Sequence, residues 1–406
     1  MPSHSKKCRD DSEMKLTCYY SVTAQQSLPP NKIPVGLCDE IVVEGAFLNG
    51  KANIVYNNFQ SDGDEMQRND TFVENFLGGV VKKWVEDGRR VFSSMMCFMP
   101  KNDFSHLMEN NSSREILASS IHEHLEQFGF TGVELECDEY LNSGEIARKY
   151  NEFLRALHIE LTSARSISRD TSIINCPKNI ALRVPVWKTN LNYSYNINEL
   201  NELVNRITIE QWPSLKYPAV VMAGRKSAEK LSAIVNPLFD ITDNEHVVDG
   251  DKNFALNRTV QSWVKNGLKR EIINIPIPTY GINLRRNDET SADGKVNLEP
   301  IFVFAPADEF GKITHAKVCE TVSKANVSTR KTVLFDRVVG FALIGGSKEQ
   351  VAFENEDTAS YKVKYAHRER LGGISLMTLH NDDHVGDACG TPYPLLNAVS
   401  RAVRAC

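Results

Sequence analysis

No apolar run in this 406-residue chain is long enough to cross a membrane, which excludes a bilayer-spanning helix as an organising element. Nor is charge of one sign in excess. Lys and Arg number 47 against 52 Asp and Glu, a formal net charge of −5, so nucleic acid is given no electrostatic reason to bind. No CxxC or HExxH pattern occurs, so neither a metal nor a cofactor is expected. Internal repeats, low-complexity tracts and long linkers are missing, apart from a polar, basic first dozen residues. That start, Met1-Pro2-Ser3-His4-Ser5-Lys6-Lys7, lacks the apolar segment of a signal peptide, which was either removed or never there. With 41% hydrophobic residues the chain can bury one large core, in one or two domains.

What is present is sharpest at Thr131-Gly132-Val133-Glu134-Leu135-Glu136-Cys137-Asp138. Read as a strand, it sends Glu134, Glu136 and Asp138 to one face and Val133, Leu135 and Cys137 to the other. Three carboxylates in a row repel one another, so neighbouring cations, solvent or a function must compensate. An edge strand with a solvated acidic face would do, but the context argues otherwise. Ser112-Ser113-Arg114-Glu115 reads as a capping box, Ile116, Ile121, Leu125 and Phe128 mark an apolar helix face, and Gly129 is a stop signal. A helix leading at once into a strand is half of a βα repeat.

Five further segments, in order, carry a resemblance. Lys15-Leu16-Thr17-Cys18-Tyr19-Tyr20-Ser21 with Leu37-Cys38-Asp39 suits a first strand and its cysteine partner, and Arg90 to Cys97 a third strand. Pro276-Ile277-Pro278-Thr279-Tyr280-Gly281 suits the seventh strand and Leu371 to Met377 the eighth, and the tail runs from His380-Asn381-Asp382-Asp383 through Cys389-Gly390 to Leu396. With the acidic strand in fourth place, the chain resembles glycoside hydrolase family 18, the chitinases and chitinase-like proteins, over roughly residues 15 to 404, and its tail is most similar to arthropod members. The resemblance implies an α/β fold, a TIM (β/α)8 barrel with a small α+β insertion domain between strands 7 and 8. The expected boundaries are a polar tail at 1–14, barrel strands 1–7 at 15–284, the insertion at 285–361, and strand 8 with a C-terminal helix at 362–406.

The departures from the family decide the functional expectation. Its Asp-x-x-Asp-x-Asp-x-Glu motif falls on Thr131, Glu134, Glu136 and Asp138, so all four acids are altered. In active members the final Glu protonates the glycosidic oxygen while the substrate's own N-acetyl group attacks. Asp138 is one methylene shorter, and a misplacement of about 1 Å can cost on the order of 100-fold in rate. A one-residue bulge would instead bring Glu139-Tyr140 into the motif's Glu-Tyr position. The tyrosine-aspartate pair of the sixth strand aligns with Gly224 and Arg225 after Met222, the third-strand Gly-Gly-Trp with Met95-Met96-Cys97, and the eighth-strand floor tryptophan with Met377. Met95, Met96, Met222 and Met377 are therefore either cleft-lining candidates or plugs of the barrel interior. Trp187 and Tyr280, at strand ends on the functional face, complete the candidates. Arg183 and Arg225 are expected to pair with Glu134, Glu136 and Asp138 across the barrel mouth. His122 and His124 are expected to be solvated, His315, His380 and His384 to lie in loops, and Trp263 to pack in the core.

The resemblance further implies disulfides Cys18–Cys38 and Cys319–Cys389. The pairing of Cys8, Cys97, Cys137, Cys176 and Cys406 stays open; Cys97 and Cys137 read as small buried hydrophobes, and Cys8 and Cys406 as terminal residues able to pair. Sequons at Asn69, Asn110, Asn111, Asn192, Asn257 and Asn326 agree with secretion. The expected protein is a catalytically inactive, secreted chitinase-like molecule with a binding, signalling or allergen-like role, and a chitooligosaccharide or other glycan or a protein receptor as partner. A lectin without turnover and a weak glycosidase using Asp138 or Glu139 are the alternatives.

Overall fold

The computed structural model describes residues 13–56, 76–141, 143–163, 177–186, 188, 190–210, 220–222, 232–234, 238–239, 255–290, 296–300, 312–324, 330–334, 339–343 and 349–405. Eight parallel strands close on themselves: β1 (Lys15–Ser21), β2 (Glu40–Leu48), β3 (Arg90–Cys97), β4 (Gly132–Glu136), β5 (Asn179–Pro185), β6 (Arg206–Glu210), β7 (Ile273–Pro278) and β8 (Gly373–Met377). β1 pairs with β2 on one side, through Thr17 beside Glu40, and with β8 on the other, through Lys15 beside Gly373, so no barrel edge is left open. This is a TIM barrel.

Period-two alternation sorts its side chains. One set, including Leu16, Ile41, Val91, Val133, Leu182, Ile207, Ile275 and Ile374, belongs to the large core under the helices. Each such side chain contributes about 1.5–3 kcal/mol on full burial. The alternate set faces inward and is mostly polar: Thr17 and Tyr19, Glu40, Ser94, Glu134, Arg183, Arg206 and Thr208, Asn274 and Ser375, all buried. Among the described residues Tyr19, Val42, Phe92 and Ala181 form an inner apolar cluster, with Met377 against it.

The helix before β4, α1 (Asn111–Phe128), ends at Gly129 with φ of 78°, as expected. Its start differs. Asn110, not the serine pair, is the cap and accepts from the Ser113 N–H at 2.8 Å, and Ile116 points outward while Leu117 and Ile121 are buried. The next helix, α2 (Gly144–Thr162), is capped by Ser143.

The sixth barrel strand is β6, upstream of the expected position. Val220–Met222 pairs with Ser232–Ile234 in a separate two-stranded sheet, so Met222 is not on the barrel wall, and Gly224 and Arg225 lie outside the described residues. Its apolar Val-Val-Met made the later segment look like a buried parallel strand, whereas β6 turns two charged residues inward.

Tyr280–Thr290 leaves β7 after one residue and joins an antiparallel sheet with Val296–Pro300, Lys312–Thr314, Glu349–Phe353, Val339–Leu343 and Arg330–Leu334. This sheet therefore begins five residues before the expected boundary at 285. The helix His315–Lys324 packs on it through Val318. Glu356–Arg368, placed in the insertion by sequence, instead packs its buried Val363 and Ala366 into the barrel's own core. Among the described residues no helix is long and apolar enough to cross a membrane.

Disulfides join Cys18 to Cys38 and Cys319 to Cys389, as the resemblance implied. A third joins Cys97 to Cys137, correcting the reading of these two as free buried thiols: they stand side by side where β3 and β4 end. Cys8, Cys176 and Cys406 lie outside the described residues.

Candidate functional site: the carboxyl end of the barrel

Inside the barrel Glu134 is fully buried and receives hydrogen bonds from four residues. Tyr19 Oη donates to its Oε2 at 2.7 Å and Arg206 Nη2 to the same oxygen at 3.0 Å. Arg183 holds Oε1 through Nε at 3.1 Å and Nη2 at 3.0 Å, and Thr208 donates to Oε2 at 3.4 Å. Burial would raise this carboxyl, but Arg183 and Arg206 hold it below its ordinary value. Arg206 also pairs with Glu40, itself bonded by Thr17 at 3.2 Å. The lower interior is thus a dense ionic lattice, in which Arg206 Nε is the one buried nitrogen without a hydrogen-bond partner among these groups.

Above it, Arg183 fans out to three more carboxyls: Glu44 at 2.9 Å, Glu136 at 3.3 Å and Glu210 at 3.8 Å. Burial raises both the Glu136 and the Glu210 carboxyl, with neighbouring carboxylates adding to it and Arg183 opposing it. Arg183 is therefore paired as the sequence suggested, with β6 supplying the second arginine.

Asp138 departs from expectation. β4 ends at Glu136 and Asp138 opens a 3-10 turn, which breaks the alternation. Its carboxylate takes Lys188 Nζ at 2.8 Å and Tyr195 Oη at 3.1 Å, and it does not share Arg183. Tyr195 in turn meets Tyr150 of α2 edge-on in the helix layer. Burial raises the Asp138 carboxyl against the opposing effect of Lys188. Glu139 is exposed, and Tyr140 turns away to donate to the Met99 carbonyl at 2.8 Å. Thr131 stays at the foot of β4, bonding the backbone of Val91.

Around the rim, Met96 is half-buried beside Glu136 in register, while Met95 belongs to the outer core and is removed from the cleft candidates by the pleat. Tyr280 is nearly buried, its ring under Lys312 Nζ at 4.7 Å and its phenol pushed up by burial first, then by Glu210 and Glu44. Met377 is half-buried over the inner cluster. Trp187 lies outside the described residues, but its neighbour Lys188 is fixed by Trp263 Nε1, which donates to the Lys188 carbonyl at 2.7 Å from the core position expected of it. Sequence reasoning missed Glu40, Glu44, Arg206 and Glu210, and also Phe47 and Phe98, whose rings meet edge-on at 5.8 Å with Phe98 62% exposed. The alternation of Arg206, Ile207, Thr208, Ile209 and Glu210 after an Asn-capped helix was the available signal for β6.

The expected solvated histidines are buried. His124 stacks on Tyr56 and Phe130, and burial lowers it to about 4; His122 bonds Glu160 at 2.9 Å. His315 opens a helix and is also buried. Among the described residues the one group with metal-like spacing is His315, Cys319 and Cys389, and its sulfurs are tied to each other as the disulfide. Of the sequons, Asn110, Asn111 and Asn192 are exposed, Asn257 is half-buried and holds Tyr365 Oη at 2.8 Å, and Asn69 and Asn326 lie outside the described residues.

A family profile described as glycosyl hydrolases family 18 matches residues 15–382. The chain is 23% identical over 432 residues to the chitinase-like protein Idgf4 of Glossina morsitans morsitans, covering 95% of this chain and 93% of that one. It is 22% identical to probable chitinase 10 of Drosophila melanogaster over 74% of this chain, which takes in 12% of that relative's length. The match to the endochitinase of Brugia malayi takes in 30% of that relative. Among solved structures, an immunomodulatory active chitinase from Trichuris suis superposes with a TM-score of 0.76 at 18% identity, covering 97% of this chain and 100% of that one. Human YKL-39, described as a pseudo-chitinase with retained chitooligosaccharide binding properties, superposes at 0.75 and 17%, covering 96% and 100%.

Proposed function

This chain belongs to glycosyl hydrolase family 18, and on that premise we propose that it is a non-hydrolytic chitinase-like protein that binds glycans at the carboxyl end of its barrel. The observation that carries the reading is the fate of the acid position. Asp138 is a methylene short, neutralised by Lys188, bonded by Tyr195 and drawn toward the helix layer. Proton donation to a glycosidic oxygen needs an acid within hydrogen-bond reach of the scissile bond, and the inward positions below it are locked around Arg183. Binding is supported by the open rim, where Phe98 and Phe47 offer aromatic surface beside Met96. Human YKL-39, a protein of the same fold, is described with the same two properties together. Three disulfides fit an oxidising, extracellular setting, with Asn192, exposed beside Tyr193, as the best presented glycan acceptor. Signalling and allergen-like roles belong to the same secreted reading.

Isothermal titration with an N-acetylglucosamine hexamer tests it. The expected trace is saturable exchange with no continuing heat. A sustained power offset abolished by Asp138→Ala would establish hydrolysis and overturn the reading, and a flat trace would remove glycan binding from it.

A further inference from the structure

Among the described residues the barrel interior carries more acid than base. Glu40, Glu44, Glu134, Glu136 and Glu210 are five carboxyls served there by three guanidinium groups, Arg90, Arg183 and Arg206. Glu134 and Glu40 lie deep and take Arg206 between them, with Arg90 3.6 Å from Glu40. Among the described residues Arg183 alone is left for Glu44, Glu136 and Glu210. Its hydrogen bonds go to Glu44, Glu134, Glu136 and Ser94, and Glu210 Oε1 stays 3.8 Å away. That oxygen is buried and has no hydrogen-bond partner among the described residues. A buried acceptor without a partner is costly, so a donor arriving there is favoured. Glu44 and Glu136 are the parts of this group that solvent reaches, with side chains 21% and 19% exposed.

We propose that this surplus of carboxyls at the barrel mouth is a recognition site for the protonated amine of a de-N-acetylated amino sugar, so that the cleft prefers glucosamine oligomers to their N-acetylated counterparts. The inference deepens the glycan-binding reading and rests on it. A monovalent ammonium suits the site better than a divalent metal, because the Arg183 guanidinium already sits within 4 Å of every carboxyl concerned and would repel a dication strongly. An ammonium at the mouth is offered the Glu44 and Glu136 oxygens that Arg183 leaves unfilled, with the orphaned Glu210 Oε1 behind them. An N-acetyl group offers no charge and brings a methyl against carboxylates. Positive charge arriving there favours ionisation of Glu136 and Glu210, whose carboxyls burial raises, so binding releases a proton to the buffer. The groups facing that pair are Glu44 from β2, Ser94 from β3, Glu134 beneath it, Arg183 from β5 and Tyr280 beyond β7, and Arg183 is the one fixed cation among them.

Titration calorimetry with the glucosamine hexamer and the N-acetylglucosamine hexamer, at a mildly acidic pH where the amines are protonated, tests this. The glucosamine hexamer is expected to bind on the order of tenfold tighter, to lose that advantage as salt rises, and to show a heat that varies with buffer as one proton is released. Glu210→Gln should abolish both the preference and the buffer dependence; Glu44→Gln, at the exposed edge, should abolish the preference in a chain whose barrel interior is untouched. Equal or weaker binding of the glucosamine hexamer overturns this inference and leaves the glycan-binding reading standing. Binding of neither hexamer overturns both.

Discussion

Arg183 is the residue on which the barrel interior depends. Its guanidinium is 4% exposed, meets Glu44, Glu134, Glu136 and Glu210, and lies over the Tyr19 ring at 4.9 Å. Removing one partner of a buried ionic group leaves uncompensated charge, at roughly 3–5 kcal/mol. Arg183→Met should therefore lower stability by about that amount, and Arg183→Lys should recover only part, because an ammonium cannot reproduce the planar fork. Denaturant titration checks this; an Arg183→Met midpoint within error of the parent would show that the lattice is dispensable. The residue scale is also where the sequence was most readable. Glu134 and Glu136 declare themselves because two acids at alternate positions of an otherwise apolar strand have no cheap explanation, and Arg183 follows as a compensating cation. Asp138 was misplaced for a definite reason: a strand's alternation predicts direction only while the strand lasts, and β4 stops two residues earlier.

Among the elements, β4 is constrained by its neighbours as much as by its charges. A Cβ on Gly132 would stand 2.5 Å from the Asn179 carbonyl and 2.7 Å from the Phe92 ring, so β3, β4 and β5 close around that position. Gly132→Ala should cost about 1–3 kcal/mol by overpacking, read as a fall in melting temperature with native disulfides; an unchanged melting temperature would mean the strands can part without penalty. Barrel strands 1, 3, 4, 5, 7 and 8 were legible from apolar alternation and the order of motifs, whereas the second, Glu40–Leu48, was not identified. β6 was not, since a five-residue strand with Arg and Glu at its ends looks like surface until its neighbours Glu40, Glu134 and Arg183 are known. Long-range pairing of that kind is invisible to local pattern, and the same holds for Cys97 and Cys137, 40 residues apart.

At the scale of the whole molecule, two groups lose their stabilisation in acid, against the raised Glu136, Glu210 and Asp138 carboxyls, which favour the folded chain as pH falls. Glu134 is held below the ordinary carboxylate range by Arg183 and Arg206, so its stabilisation is present above the unfolded value and lost as pH falls. His124 acts in the same direction. Lowered from 6.5 to about 4 by burial, it is neutral in the folded protein where the unfolded chain already binds a proton. Its contribution, at most about 3 kcal/mol, is therefore complete above 6.5 and disappears as pH falls toward 4. His124→Phe, keeping a ring against Tyr56 and Phe130, should flatten the pH dependence of the unfolding midpoint across that window; an identical slope would assign the acid sensitivity elsewhere.

A barrel filled with hydrocarbon can change one strand at a time, each substitution being judged by volume. This interior cannot. Glu40 and Glu44 from β2, Glu134 and Glu136 from β4, Arg183 from β5 and Arg206 and Glu210 from β6 share one set of charges, so a neutral residue at 206 would strand acids on two other strands. Substitutions here are strongly non-additive, and the four strands are expected to covary through descent, keeping a record of which acids and bases entered the barrel together.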